Sequence, residues 1–271
     1  MRSNSAEPAK EWFRRNRLLD GRVDLGEAIS EGIDPPDELE DDVLLSGKIH
    51  HIYGPSESGK TIVLLWLIKR RVEAGQNVVL FDAENGTRTV AERLKQMGAD
   101  PELVSKHLTY LPFPDLSLGE EARREFYELL DEIKPVLIAF DSWASFLSAA
   151  GLSENDNAEI EHWDNAITKQ AKQRGIASVI LDHVPHDAER SRGGARKKEV
   201  ADVQWRVKKT KDFDRDCVGE VLLLRSKERD GWLPETIKFS VGGNEFGNLV
   251  CERSSGTIEE AVAAGALTQT E

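Results

Sequence analysis

The amino-acid sequence predicts an α/β protein in which a mostly parallel, twisted sheet is flanked by helices and continues into antiparallel strands at the C-terminal end. Three observations predict this fold. A glycine-rich phosphate-binding motif separates a strand-like segment, 48–53, from a helix-like segment, 61–70. Apolar, strand-like segments then follow at 77–83, 108–111, 135–142 and 177–183. They alternate with helix-like segments at 88–97, 120–133 and 158–174. The last part of the chain holds strand-like segments joined by turns, at 219–224, 237–240 and 245–251.

The phosphate-binding motif fits the pattern G-x-x-x-x-G-K-[ST] at every defined position. Its glycines let successive backbone N–H groups point at a phosphate, and a helix that begins there adds the positive end of its dipole. In such a loop the lysine reaches the β- and γ-phosphates and the last hydroxyl holds Mg²⁺. The sequence therefore predicts a site for ATP and Mg²⁺, formed by Gly54, Pro55, Ser56, Glu57, Ser58, Gly59, Lys60 and Thr61. An ordinary glycine-rich turn is the alternative.

Composition limits the remaining possibilities. The 271 residues could form one large domain or two small ones. Lys and Arg number 36 against 49 Asp and Glu, a net charge of −13, so the chain has no overall basic field for nucleic acid. Cys217 and Cys251 are far apart and lack metal-site spacing, which suits a reducing cytoplasm. Because no apolar run reaches membrane-spanning length, we expect a cytoplasmic protein with no membrane association.

The N-terminal region has two parts of opposite charge. Residues 1–22 carry six basic and three acidic side chains, with Trp12 and Phe13 among apolar residues at helical spacing. Residues 23–42 carry nine acidic side chains and no basic one. We expect 1–42 to form an arm and acidic linker that docks on a neighbouring subunit, followed by a nucleotide-binding domain over 43–253 and a flexible tail over 254–271. A frayed terminus with a solvated charge run is the alternative.

Two acidic residues end predicted strands near the phosphate-binding motif. Glu84 follows the strand 77–83 at its carboxyl end, which is where ligands bind in parallel sheets. This position suits a carboxylate that orients a water molecule against the γ-phosphate, although an acid that caps the next helix is an alternative. Asp141 ends the apolar segment 135–140, the Walker B arrangement, in which the acid holds the Mg²⁺ shell.

A histidine and a basic segment follow the next predicted strand. His183 ends the strand 177–183 and is placed to sense the γ-phosphate; with His186 it could instead bind a metal, but no Cys or third His is nearby. Segment 187–211 holds nine basic and four acidic residues, a local charge of +5. It predicts contact with the phosphates of single-stranded nucleic acid through Arg190, Arg192, Arg196, Lys197 and Lys198. A solvated charged loop is the alternative.

Together these motifs resemble the RecA-fold ATPases, and among them the RepA and DnaB branch of hexameric helicases from phages, plasmids and bacteria. The resemblance covers about 43–251 and rests on the phosphate-binding motif and on Phe81-Asp82-Ala83-Glu84, Phe140-Asp141-Ser142, Leu181-Asp182-His183 and Lys227-x-Arg229-x-Gly231. It implies a RecA-like core, a homo-oligomeric and hexameric ring, and single-stranded DNA as the partner. It also implies that Lys227 and Arg229 complete the neighbouring subunit's site in trans, as an arginine finger does.

Two classes of function are compatible with these features. One is a ring-forming ATPase, a replicative helicase or DNA translocase, that moves on single-stranded nucleic acid. The other is a nucleotide-switched assembly or regulatory ATPase without unwinding activity. The net charge of −13 and the acidic segment 152–157 favour the second, whereas the +5 segment and the Lys227/Arg229 pair favour the first. A small-molecule kinase needs an acceptor pocket and a lid, which the β-rich last part of the chain does not suggest.

Overall fold

The computed structural model describes residues 24–32, 34–183 and 199–255. The chain divides into two compact units, residues 1–35 and residues 36–271. The predicted arm at 1–22 therefore lies outside the described residues, as does the predicted tail from 256 onward. No helix within the described ranges is long and apolar enough to cross a membrane.

The described part of the first unit contains one short helix, α1 (Leu25–Glu31). Asp24 caps it, because its side chain accepts hydrogen bonds from the backbone N–H groups of Gly26 at 2.9 Å and Glu27 at 3.2 Å. The prediction of an acidic linker over 23–42 did not include this helix. An aspartate directly before an apolar residue is the capping signal that could have located its start.

The second unit begins with a short antiparallel pair and continues into one large sheet. The pair consists of β1 (Glu38–Glu40) and β2 (Leu44–Leu45). The strands of the large sheet are β3 (Ile49–Gly54), β4 (Val78–Asp82), β5 (Leu108–Pro112), β6 (Leu137–Asp141), β7 (Ala177–His183), β8 (Val203–Lys211), β9 (Val218–Glu228), β10 (Thr236–Gly243) and β11 (Leu249–Ser255). The helices between them are α2 (Lys60–Glu73), α3 (Thr87–Gln96), α4 (Pro101–His107), α5 (Glu120–Ile133), α6 (Trp143–Ala149), α7 (Asn157–Ala166) and α8 (Thr168–Gln173).

The large sheet has the strand order β11-β10-β9-β8-β3-β7-β6-β4-β5. Neighbouring strands from β8 to β5 run parallel, and β9, β10 and β11 extend the sheet with antiparallel pairs. This confirms the predicted α/β fold. The carboxyl ends of β3, β7, β6 and β4 consequently meet at one edge of the sheet, where Gly54 pairs with His183 and Asp82 with Asp141.

The central strands of the sheet are buried on both faces, which explains why β4, β6 and β7 are almost continuously apolar rather than alternating. In β4, Leu80 packs into the core on one face, whereas Val79 and Phe81 pack into the core on the other. Helices α2, α3 and α4 cover the first face, and α5, α6, α7 and α8 cover the second. Helix α2 ends where Gly75 takes a φ of 72°, a conformation that favours glycine.

The predicted single helix over 158–174 is wrong, because the structure breaks it into α7 and α8 at Ile167. The side chain of Thr168 explains the break. Its hydroxyl donates to the main-chain oxygen of Asp164 at 3.3 Å and also contacts the Asp164 carboxylate. Such local side-chain bonds compete with the hydrogen bonds of a regular helix.

The C-terminal strands differ from the prediction in extent. Charge counting assigns 187–211 to one basic segment, but Val203–Lys211 is strand β8. Its residues Val203, Trp205 and Val207 are buried at alternate positions, a period-two pattern that the neighbouring lysines hide. The predicted strands 219–224 and 245–251 correspond to the longer β9 and to β11, which runs on to Ser255.

Candidate active site

The phosphate-binding motif joins β3 to α2. Gly54 ends the strand, and a Cβ atom there would lie 2.8 Å from the main-chain oxygen of Val207 in β8. Gly59 precedes the helix with a φ of 94°, a conformation that L side chains rarely adopt. The turn and its packing therefore require glycine at both ends of the motif. Between them, Ser56 and Glu57 are exposed and Ser58 is buried.

Lys60 begins α2 and folds back over the motif. Its side-chain Nζ donates to the main-chain oxygens of Gly54 at 2.9 Å and Pro55 at 2.6 Å. Burial lowers the pKa of Lys60 to about 8, although the nearby carboxylates of Asp141 and Glu84 favour its charged form. A buried ammonium group held on carbonyl oxygens at the mouth of the loop is available to an incoming phosphate.

The loop also has the donors that a phosphate group needs. Helix α2 has no side-chain cap at Gly59, so its first N–H groups are not satisfied in that way. Among the described residues, the buried hydroxyl of Ser58 has no hydrogen-bond partner. An uncapped helix start beside a buried hydroxyl and a lysine is a suitable cradle for a phosphate anion.

Thr61 and Asp141, predicted to hold Mg²⁺, lie together. The Thr61 hydroxyl donates to Oδ2 of Asp141 at 2.8 Å, which joins the start of α2 to the end of β6. Burial raises the pKa of Asp141 to about 6, and the nearby carboxylates of Glu84 and Asp82 add to the effect. A hydroxyl and a buried carboxylate are hard oxygen ligands of the kind that Mg²⁺ prefers, so this pair fits the ion.

Asn85 is a member of the site that the sequence analysis did not identify. Its Nδ2 donates to Asp141 Oδ2 at 2.9 Å and to Asp82 Oδ1 at 3.2 Å, so it bridges two carboxylates. Arg93 in α3 orients it by donating to Oδ1 at 3.1 Å. The only signal in the sequence is its position, directly after the acid that ends a predicted strand.

Asp82 supports the loop that carries Glu84 and Asn85. Its carboxylate accepts hydrogen bonds from the N–H groups of Glu84 and Asn85 at 3.0 and 2.9 Å, and from the Tyr110 hydroxyl at 2.8 Å. Burial opposes ionisation of this carboxyl, but the hydrogen bonds outweigh burial and lower the pKa of Asp82. The loop is therefore held by an ionised, buried carboxylate rather than by its own backbone.

Glu84 lies at the same edge of the sheet, among polar side chains from neighbouring elements. Its carboxylate accepts from the hydroxyls of Ser142 and of Ser145 (3.3 Å). The Nε2 atom of His183 is 3.2 Å from each carboxylate oxygen. The hydrogen bond to His183 contributes most to the lowered pKa of Glu84, which opposes the effect of burial. The structure thus brings together Lys60, Thr61, Glu84, Asp141 and His183.

Comparison with known proteins identifies the family. A family model described as an AAA domain matches residues 13–189, more than half of the 271-residue chain. The chain belongs to this family. The match includes the phosphate-binding motif, Glu84, Asp141 and His183, so this AAA domain is an ATPase of the P-loop type. No curated protein matched the chain.

The predicted trans-acting cations lie at the opposite ends of the parallel strands. Lys227, in β9, donates through Nζ to the main-chain oxygens of Glu199 (3.1 Å) and Ala201. Arg229 donates to the same Glu199 oxygen at 2.8 Å, and its Nε is 3.5 Å from Asp202. Asp202 in turn accepts from the N–H of Ile49, at the start of β3.

The length of β3 separates these cations from the phosphate-binding motif of the same chain. Five residue steps of about 3.3 Å lie between Ile49 and Gly54, or about 17 Å. The structure therefore does not bring Lys227 or Arg229 to their own chain's site. The predicted nucleic-acid residues Arg190, Arg192, Arg196, Lys197 and Lys198 lie outside the described residues, and so does His186.

A cavity of about 400 Å³ lies beside the start of α2. Ile62 and Phe213 form apolar parts of its wall, and the ring of Phe213 also packs against Gly59, where a Cβ would be 3.3 Å from its Cζ. Arg215 and Glu92 form an ion pair of 3.2 Å on the cavity wall. The protein therefore has a cavity next to the phosphate-binding motif.

Proposed function

We propose that this chain is an ATP-hydrolysing, RecA/RepA-like ring ATPase that acts on single-stranded nucleic acid, as a replicative helicase or DNA translocase. The 2.8 Å contact between Thr61 and Asp141, with Glu84 beside them, carries the hydrolytic part of the proposal. Residues 80 positions apart in the chain meet there, at the end of a phosphate-binding motif. A purely structural loop does not require that combination.

In the proposed reaction, Lys60 leaves the oxygens of Gly54 and Pro55 and donates to the β- and γ-phosphates. Thr61 and Asp141 would hold Mg²⁺, which neutralises charge on the phosphate oxygens. Glu84 orients the attacking water and accepts its proton. The proposed role of His183, which contacts Glu84, is to respond to the γ-phosphate. The cavity beside α2 takes the nucleoside.

A ring explains the position of Lys227 and Arg229. The Arg229 side chain is 54% exposed and contacts Asp202, which binds Ile49 at the start of β3. The phosphate-binding motif of the same chain follows the other end of β3, about 17 Å away. In a closed ring with head-to-tail contacts, one subunit's edge faces the opposite edge of the next. Two adjacent cations at such a contact would stabilise the charge that develops on the neighbour's γ-phosphate.

Single-stranded DNA is proposed as the partner because of the local charge of +5 over 187–211 in a chain of −13. The test combines ATPase assays with and without single-stranded DNA and a mass measurement of the assembly. We expect a hexamer whose turnover rises when the strand is added and whose binding weakens with salt. A monomer whose turnover does not respond to DNA at any salt concentration would refute the proposal.

The second candidate is a nucleotide-switched assembly or regulatory ATPase without unwinding activity. The overall charge of −13 favours it, because a strongly acidic surface repels nucleic acid. In that case the assembly state changes with the bound nucleotide, while single-stranded DNA leaves both binding and turnover unchanged. The same two assays therefore separate the candidates.

A further inference from the structure

Glu84 is held by side chains that come from other elements. Ser142 follows β6, Ser145 lies in the first turn of α6, and His183 ends β7. All three lie within hydrogen-bond reach of one carboxylate. Because β4, β6 and β7 are consecutive in the sheet, these contacts connect the acid to the carboxyl ends of the next two strands on one side of β4.

The hydroxyl of Ser142 does not make the helix-capping hydrogen bond that its position predicts. Ser142 is the N-cap residue of α6, and a serine there normally accepts a hydrogen bond from the first turn of the helix. Its side chain makes no such bond. The residue is fully buried, and its hydroxyl donates to Glu84 instead. In α7, by contrast, Asp156 does cap its helix, with bonds of 2.8 and 3.2 Å to the N–H groups of Ala158 and Glu159.

The two oxygens of the Glu84 carboxylate are bound unequally. Oε1 accepts from the hydroxyls of Ser142 and Ser145 and is 3.2 Å from Nε2 of His183. Among the described residues, Oε2 has a single hydrogen-bond partner, the same Nε2 of His183, also at 3.2 Å. The hydroxyls therefore fix the carboxylate by one oxygen and leave the other with acceptor capacity for a water molecule.

We propose that Ser142 and Ser145 are positioning residues that hold Glu84 by Oε1, so that Oε2 faces the attacking water. This inference rests on the proposed function of Glu84. A glutamate side chain has several rotatable bonds, and ordering it costs conformational entropy that hydrogen bonds offset. Holding the base in its productive rotamer before the reaction raises turnover without changing how tightly the nucleotide binds.

The test uses the Ser142→Ala, Ser142→Thr and Ser145→Ala variants of the full chain, with ATP as substrate. We expect Ser142→Ala to lower kcat about tenfold with KM unchanged, since a general base contributes about 10²–10⁴ and only its orientation is disturbed. Ser145→Ala should have a smaller effect in the same direction. Ser142→Thr keeps the hydroxyl and should restore most of kcat.

A double-mutant cycle separates positioning from a general structural effect. In a Glu84→Gln background, Ser142→Ala should change kcat less than about twofold, because both substitutions act through the same carboxylate. Asp156→Ala is the matched control: it removes a cap that does bond its helix, so it should lower Tm and leave kcat unchanged.

Three results would overturn the inference: wild-type kcat in Ser142→Ala, the same loss in the Glu84→Gln background, or a Ser142→Thr variant as slow as Ser142→Ala. A wild-type chain that binds ATP without hydrolysing it is a different failure. That result would refute the proposed hydrolytic function itself, and the positioning role of Ser142 and Ser145 with it.

Discussion

Acid should destabilise this protein through His50, a fully buried residue of the strand that leads to the phosphate-binding motif. Its Nε2 accepts from the N–H of Leu45 at 3.0 Å, and its Nδ1 is 3.3 Å from the main-chain oxygen of Ser178. Because the Leu45 N–H is a donor, Nε2 must be unprotonated, so the fold requires the neutral imidazole. Burial lowers the pKa of His50 from 6.5 to about 4, against the opposing effects of Ser178 and Asp202.

The magnitude follows from the difference between the folded and unfolded pKa values. As the pH falls below 6.5, the unfolded chain takes up a proton on His50 that the folded protein does not bind. The free energy of unfolding therefore decreases with falling pH, by about 3 kcal/mol in total once the pH is below 4. About 2 kcal/mol of this is lost between pH 7.5 and pH 5.

Denaturant unfolding at pH 7.5 and pH 5 measures this loss, with His50→Gln as the comparison. The glutamine cannot take up a proton, and its Oε1 keeps an acceptor for Leu45. Other groups titrate in both proteins, so the difference between the two pH dependences isolates His50. We expect the wild type to lose about 2 kcal/mol more than His50→Gln. Equal losses in the two proteins would refute the reasoning.

Four further predictions concern the proposed activity. Lys60→Ala should abolish ATP turnover without lowering Tm, because the ammonium group serves the phosphates rather than the core. Glu84→Gln should bind ATP normally and lower kcat by about 10²-fold or more, since the base for the water is lost. Arg229→Ala subunits should be inactive alone, yet regain activity when mixed with Lys60→Ala subunits, because some interfaces then pair an intact loop with an intact arginine. Charge reversal of segment 196–198 should weaken single-strand binding and reduce its salt dependence by about one unit of slope per lost contact, with basal turnover unchanged.

Each of these predictions has a result that contradicts it. Wild-type turnover in Lys60→Ala would show that the motif is not the site of hydrolysis. A lower Tm with unchanged kcat in Glu84→Gln would identify the residue as a structural cap. Absence of rescue in mixed oligomers, with mixing confirmed by mass, would mean that the site is complete within one chain. Unchanged binding across a salt titration would exclude segment 196–198 as a contact with the strand.

The parts of the site that could be predicted are those coded by contiguous residues. The phosphate-binding motif is such a case, because local backbone geometry requires its glycines, as the φ of 94° at Gly59 shows. The acids Glu84 and Asp141 could be predicted for a related reason. Each comes at the end of an apolar strand, and parallel strands bring their carboxyl ends to one edge of the sheet.

Contacts between side chains from different strands could not be predicted in this way. Nothing in the sequence around Ser142 distinguishes a helix cap from a donor to Glu84, because the choice depends on which strand lies beside β6. Asn85 bridges Asp82 and Asp141 for the same reason. Strand β8 was missed because lysines follow its buried alternating residues, so a count of charges obscured the period-two pattern.

The sequence alone determined the α/β class and the nucleotide-binding loop, because hydrophobic periodicity and turn geometry are local properties. The tertiary structure decided which side chains share a site. The strand order places β7 between β3 and β6, so His183 and Ser142 reach Glu84, while Lys227 and Arg229 lie at the far edge. That order depends on how helices pack on both faces of the sheet, and packing between distant segments is not encoded in any one segment.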